Sequence, residues 1–409
     1  MNIVNIQQGS DQWVALRAKH FCASEAAAML GLSSHMKRSE LLRIKSLGIS
    51  KEFSDFVMNN VLNKGHAAEA TARAIVENQL GAELYPATAT LTIDGLPLLA
   101  SYDGLSMDES QAWENKLLNS QNADPKDMID SEYWPQLEQQ ALVAGVDQVY
   151  FTVSDGTQMG TSGHWYQSLT KRRAQLLAGW KQFAEDLKSY TPTEETQPVN
   201  GQAPDNLPAL HIEVTGTVTN SNLAMFKTRA LSVINAINTD LQTDVDFASA
   251  EKTVKWCGEI EDRLDAAKQH ALSQTASIDE LFRAIDEIKA LARTKRLELD
   301  RLVKSRKESI RGEIVMKART AFQEHIDMLN RRIGRDYMPE SDLTRFGACI
   351  KGLKTVSSIR DAVSTELAQA KIQANETSDR VEINLKWFLD YAKDYEFLFP
   401  DLKQIILLS

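Results

Sequence analysis

Along the first 190 or so positions, apolar residues come in short runs separated by turn residues, with the period switching between helical and strand-like. ELYPATATLTI, LPLLASYDGL and QAWENKLL read as strands, as do QVYFTVSDG and GHWYQSL further on. Asp11 to Leu30 reads as helical segments broken near Phe21-Cys22-Ala23-Ser24, with Ser24 as N-cap for the alanine-rich SEAAAML. Asp55 to Gln79 predicts a long helix marked only by Gly65, Trp134 to Val143 a shorter one, and Lys171 to Tyr190 a closing one. Helix, meander of strands, helix, strands, helix is an α+β order, with a layered domain as its natural outcome.

Beyond about residue 220 the pattern changes. One strand, ALHIEVTGTV, precedes long stretches of Ala, Leu, Glu, Lys and Arg that predict helices near 221–242, 247–273, 277–332, 340–372 and 376–395. The third is far longer than an average globular helix. Its Leu281, Ile285, Ile288 and Leu291 follow 3- and 4-residue steps, which predicts an antiparallel helical hairpin or coiled coil. Between the halves lies TPTEETQPVNGQAPDNLPA, with four prolines, a linker by composition. The chain therefore divides into residues 1–190, a linker 191–209, and a helical region 210–409.

Composition narrows the class. No apolar run approaches the roughly 20 residues needed to span a bilayer, and MNIVNIQQGSDQW lacks the basic start and apolar stretch of a signal peptide. Three scattered cysteines, Cys22, Cys257 and Cys349, supply neither a disulfide framework nor a CxxC pair. A reduced, cytoplasmic protein without a membrane partner is expected. The net charge of −10 lowers the expectation of a nucleic-acid partner. A groove differs from a global sum, however, and a divalent cation offsets carboxylates locally.

The chemistry sits in ASYDGLSMDESQAWENKLL. On a strand, alternate side chains share a face, so Glu114 and Lys116 point one way and Asn115 the other. Asp103 lies on the preceding segment at a Gly104 turn, where adjacent strands can bring the two carboxylates together. Such a pair suits Mg²⁺, and a lysine beside it can orient a water; phosphodiester cleavage uses this combination. Taken alone, the spacing fits an edge-strand salt bridge better, because D-(x)n-ExK is short and common.

Further motifs in order alter that balance. QQGSDQWVALRAKHFCASEAA, NKGHAAEATA, SYDGL, WENK and YWPQLEQQALVAG together resemble the phage lambda exonuclease and YqaJ-type recombinase family, a branch of the PD-(D/E)xK nucleases. The likeness spans residues 7 to about 190. It implies a nuclease core, a central mixed sheet flanked by helices, followed here by a long-helix, coiled-coil-like C-terminal region. It also implies a Mg²⁺-dependent exonuclease, with Mn²⁺ as a substitute, that removes the 5′ strand of linear double-stranded DNA to leave 3′ tails. Asp103 and Glu114 would hold metal with the Asn115 carbonyl, and Glu69 would add a further carboxylate. Lys116 would orient the water and Gln136 would support it. Arg17, Ser24 and Tyr133 would bind DNA, the first two at the 5′ phosphate. A closed homo-trimer and a single-strand annealing protein as partner are implied too, in a phage or prophage setting within a bacterial host cell.

Trp13 is expected as a core anchor. Residues 1–195 hold 16 basic and 24 acidic side chains, which is acidic for a DNA enzyme and weakens the expectation of tight duplex binding. Lys171-Arg172-Arg173 is their single basic cluster, equally a phosphate contact or a solvated helix start. Between Arg293 and Arg319 ten basic residues face four acidic ones, which fits either a phosphate track or the solvated face of a coiled coil. The aromatic end, Trp387 to Phe399, is expected to pack within its own domain. Rival readings are an endonuclease of the same superfamily and a catalytically silent DNA-binding scaffold. The lack of a four-cysteine set argues against the iron–sulfur branch.

Overall fold

A computed structural model describes residues 1–49, 63–118, 124–192, 201–208, 210, 212–214, 218–272 and 279–408. The chain forms two compact units. One comprises Met1–Thr193, Ala318–Cys349 and Asp361–Ser409; the other comprises Glu194–Lys317 and Ile350–Arg360. No described helix is long and apolar enough to cross a membrane.

The first unit holds a mixed sheet of β1 (Asn2–Ile3), β2 (Phe21–Cys22), β3 (Leu84–Ile93), β4 (Leu96–Ser106), β5 (Ala112–Leu117), β6 (Gln148–Ser154) and β7 (Thr161–Gln167). Its order is β1-β3-β4-β5-β6-β7, with β2 added beside β4. The β3–β4 hairpin turns on Asp94-Gly95, both at positive φ (50° and 77°), as a two-residue turn matched to strand twist requires. β5 and β6 run parallel, and the connection between them carries a helix. Flanking helices are α1 (Asp11–Ala18), α2 (Arg38–Leu47), α3 (Asn63–Leu80), α4 (Trp134–Ala144) and α5 (Thr170–Ser189).

Two features of β4 prepare the site. β2 pairs it at Leu98–Leu99 and β5 pairs it at Gly104–Leu105, so both neighbours lie on one side, end to end. Between them, β4 has no strand partner on that edge among the described residues. The pairing with β3 also slips: Ala87 opposes Tyr102 while Tyr85 opposes Leu105. Two steps on β3 match three on β4, so a bulge falls at Asp103–Gly104 and bends the strand there. Glycine is required: a Cβ at residue 104 would lie 2.8 Å from the Leu84 Cβ and 3.0 Å from the Trp113 Cε3.

Helix α4 fills the unpaired edge of β4, and its residues from Trp134 to Ala141 are all buried. One side offers Leu137 and Ala141 to the core that includes Leu98, Ala100, Tyr102 and Phe151. The polar side chains must then find partners indoors. Gln139 donates to the carbonyls of Phe21 (2.7 Å) and Leu99 (3.0 Å) and accepts from the Trp180 indole. Fully buried Glu138 accepts from Tyr166, Ser168, the Leu169 N–H and Arg173. Phe21 stacks on Trp180 at 4.8 Å between ring centroids, tying β2 to α5.

In the second unit, α6 (Leu223–Asn235) and α7 (Asp244–Leu272) follow a two-stranded sheet of β8 (Ile212–Val214) and β9 (Val218–Ser221). The first part of α8 (Asp279–Ile333) lies antiparallel to α7. Lys268 pairs with Asp286, Asp265 with Lys289, Glu261 with Arg296 and Glu251 with Lys307, one helix ascending as the other descends. Trp256, Ile260 and Leu264 meet Ile285, Ile288 and Ala292 along the seam. Most of the basic residues between Arg293 and Arg319 are thus engaged: Lys295, Arg296, Lys304, Arg306 and Lys307 in ion pairs, and Arg311 and Arg319 on carbonyls. That favours the solvated helix face over a phosphate track.

The C-terminal segment returns to the first unit through α9 (Val356–Tyr391). Gln369 donates to the Leu30 carbonyl at 3.1 Å, Asp361 accepts from Lys37 and Ser39, and Ile372 joins the core beneath α5. Several expected boundaries shift. The helices expected at 340–372 and 376–395 are one continuous helix after a short turn at Arg345–Ala348, because Gln373–Glu376 contains no breaker and Asn375 is held by His325. Ser24 lies inside a 3₁₀ turn capped at Cys22, whose N–H donates to Glu25. Residues 55–62 of the expected helix 55–79, and 193–200 and 209 of the expected linker, lie outside the described residues. Trp387, Tyr391 and Phe397 are exposed, contrary to the expected internal packing, while Phe388 and Phe399 do stack on each other.

Candidate active site

Glu114, on β5, is held at both carboxylate oxygens. It is 4% exposed and receives three donors: Lys116 Nζ at 2.5 Å and Gln136 Nε2 at 2.6 Å on Oε1, and Gln140 Nε2 at 2.6 Å on Oε2. Strand alternation delivers the first contact, since Glu114 and Lys116 are two apart on β5. Helical spacing delivers the other two, since Gln136 and Gln140 are one turn apart on α4. Asn115 points the other way, its Oδ1 accepting from Thr152 at 2.8 Å. Its backbone N–H donates to Asp103 Oδ2 at 2.7 Å, across the point where β4 and β5 separate. The bulge therefore sets Asp103 directly against the backbone of the Glu114 strand.

Glu69 enters from α3. Arg73, one turn later, donates to Glu69 Oε1 at 2.7 Å and to the Asp103 carbonyl at 3.0 Å, so one guanidinium ties the helix to the bulge. Burial pushes the Asp103 carboxyl well above the usual range, and the charges of Glu114 and Glu69 push it further; Lys116 and the Asn115 N–H act in opposition. Burial works against the Lys116 ammonium, but Glu114 and Asp103 outweigh it and hold its proton well above the ordinary lysine range. Lys116 is thus a fixed cation at neutral pH, lying 5.4 Å over the Tyr133 ring.

An excess of carboxylate around Asp103 is the electrostatic setting that a hard cation neutralises. No cluster of three or more His, Cys, Asp or Glu able to hold a metal occurs among the described residues. Mg²⁺ is commonly held by one or two carboxylates and keeps several waters, so a pair suffices. Asp103 and Glu114 fit that ion by donor type and by charge.

A second cluster lies near the start of β4. Arg17 stacks over Trp13 (4.6 Å to the centroid) and donates to Ser24 Oγ at 3.2 Å and Glu25 Oε1 at 3.3 Å. Buried Lys45 takes the other Glu25 oxygen at 2.7 Å. Two cations share one carboxylate, which leaves net positive charge beside the exposed Ser24 hydroxyl. Trp13 is half-buried rather than a core anchor, and its indole donates to Ser101, two residues from Asp103. Of the basic triplet, Arg172 pairs with Asp130 and lies over Trp134, and Arg173 pairs with Glu138; both are engaged with the protein itself.

Sequence reasoning missed Gln140 and Arg73. Each stands one helical turn from a residue it singled out, Gln136 and Glu69, which was the available signal.

The alkaline exonuclease of Laribacter hongkongensis, alone and in complex with dAMP, is 20% identical to this chain. It aligns over 44% of this chain and 93% of its own length, with TM-scores of 0.37 and 0.36. No curated protein matches the sequence. The model of the YqaJ-like viral recombinase domain matches residues 12–147, the stretch that supplies Trp13, Arg17, Glu69, Asp103, Glu114, Lys116, Gln136 and Gln140. Over residues 12–147 the chain is therefore similar to the YqaJ-like viral recombinase domain.

Proposed function

We propose that this chain is a Mg²⁺-dependent deoxyribonuclease that degrades the 5′ strand of linear double-stranded DNA and leaves 3′ tails for recombination. The observation that carries the reading is the meeting of Asp103, Glu114 and Lys116 where β4 and β5 part, within the matched domain. Asp103 and Glu114 would hold the divalent cation, which when bound would supply Lewis-acid activation of the scissile phosphate. Lys116, fixed as a cation, opposes charge that builds on the phosphate oxygens and orients a water beside it. Gln136 and Gln140 hold Glu114 in one rotamer, and Arg73 holds Glu69 and the Asp103 backbone. Arg17 and Ser24 offer a cation and a hydroxyl to the 5′ phosphate, and Tyr133 packs beside Lys116.

Linear duplex labelled separately at its 5′ and 3′ ends, incubated with Mg²⁺ or EDTA, tests this reading. The 5′ label is released only with Mg²⁺, and Glu114→Gln lowers the rate by about a thousandfold, equivalent to about 4 kcal/mol of barrier. Nicking of closed circular DNA would point to an endonuclease instead. Retention of intact DNA with no cleavage would leave a binding module.

A further inference from the structure

We propose that Gln140 is a positioning residue that sets Glu114 relative to β4, and through Glu114 governs how tightly the site holds a divalent cation. The proposal rests on the nuclease reading for its chemical purpose, while its geometry stands independently.

Gln140 is completely buried, and a buried amide in a hydrocarbon core is retained only where it is used. Its single Nε2 serves two acceptors on two different strands, the Ser101 carbonyl on β4 at 2.9 Å and Glu114 Oε2 on β5 at 2.6 Å. Ser101 and Asp103 are two residues apart on β4, and at Ser101 that strand lacks its β2 or β5 partner. The amide therefore stands in for the missing backbone ladder and ties the strand of Asp103 to the side chain of Glu114. The Gln140 backbone is itself pinned, its carbonyl accepting from Tyr102 Oη at 2.9 Å. The side-chain Oε1 is buried with no hydrogen-bond partner among the described residues. The residue keeps its amide despite leaving one buried acceptor unpaired, at a cost in stability.

Gln136 cannot do the same work. It reaches only Oε1, which Lys116 already shares, and it touches no strand backbone among the described contacts. Removing Gln140 frees one carboxylate oxygen and leaves the other held, so Glu114 swings about its Oε1 contacts. Loss of a group that orients a ligand in this way typically weakens metal affinity or activity by about 10- to 100-fold.

The test uses the full chain, Gln140→Met, Glu114→Gln and the double variant, with Mn²⁺ as the probe ion measured by titration calorimetry and electron paramagnetic resonance. Q140M is expected to weaken Mn²⁺ binding at least about tenfold, with kcat on linear duplex falling in step and KM within about twofold. In the E114Q background, Q140M is expected to change the residual Mn²⁺ affinity less than about twofold, because its effect passes through the carboxylate. Equal losses in both backgrounds, or wild-type affinity in Q140M, overturn the proposal. Should Q140M fail to fold, Gln140→Leu removes the donated hydrogen bond without adding charge or a metal ligand, and the same cycle is read from it. A wild type that binds Mn²⁺ through Glu114 yet cuts no DNA sinks the nuclease reading alone; the cycle still decides the role of Gln140.

Discussion

Gly104→Ala tests the bulge on which the site is built. The added methyl carbon would lie 2.8 Å from Leu84 Cβ, 3.0 Å from Trp113 Cε3 and 3.3 Å from Leu84 Cδ1. Two of these are stiff neighbours, a Cβ and a fully buried indole whose N–H donates to Thr152 at 2.8 Å. Neither can rotate away, so β4 must move by several tenths of an ångström. Overpacking of this kind costs about 1–3 kcal/mol. In urea, with a slope of about 2 kcal/mol per molar, a loss of 2 kcal/mol lowers the midpoint of the first unit by about 1 M. Leu84→Ala in the same chain should not restore it, because the closest atom is a Cβ that alanine retains. Displacement of β4 also moves Asp103 against Asn115, so cleavage should fall more than stability predicts. Urea unfolding followed by far-UV circular dichroism, alongside cleavage of end-labelled duplex, reads both effects. A midpoint within 0.2 M of wild type, a window of roughly 0.4 kcal/mol on the same slope, would show that residue 104 has room and that the register argument fails.

Two further outcomes follow from buried charge. Glu25→Gln leaves Lys45, with 5% of its side chain exposed, facing a neutral amide, and should cost about 3 kcal/mol in denaturant unfolding, the toll of breaking a buried pair; a loss under 1 kcal/mol would mean water reaches Lys45. His325 is held below its usual pKa, first by burial and then by Lys371, with Arg332 adding to this and Asn375 and Asp186 opposing. Its folded value is depressed, so the unfolded chain binds the proton more readily: stability is fully present above about 6.5 and declines as pH falls below it. His325→Gln should flatten that decline in melting temperature between pH 7 and 5, and an unchanged slope would assign the decline to other groups.

The parts of the site visible in the sequence are those set by local periodicity. Glu114 and Lys116 share a side of β5 as period-two spacing requires, and Gln136 faces them from a helix whose boundaries were legible. Features that depend on partners distant in sequence were not. β2 is two residues long and exists only because Leu98 and Leu99 accept it, so no pattern at Phe21-Cys22 announces a strand. The bulge is invisible because an extra residue on β4 has meaning only against β3. The basic run on α8 fitted an anion track as well as a solvated face, because two of the carboxylates that pair with it, Glu251 and Glu261, sit on another helix. Charge counted along a chain says little when its counter-charge is supplied across a seam.

The docking of α9 on the first unit has a consequence for biosynthesis. Leu30 is made early, and Gln369, which receives its carbonyl, follows 339 residues later. At translation rates of about 5–20 residues per second, that interval is on the order of 20 to 70 s. Once residue 117 has been made, and for most of that interval, the strands that carry Asp103 and Glu114 exist, but Ile372, which completes the apolar core, and Asp361, which accepts from Lys37 and Ser39, have not been synthesised. Completion of the first unit therefore waits on a segment made long after its sheet, and a chain arrested within the intervening helices leaves that apolar surface and those two donors uncovered.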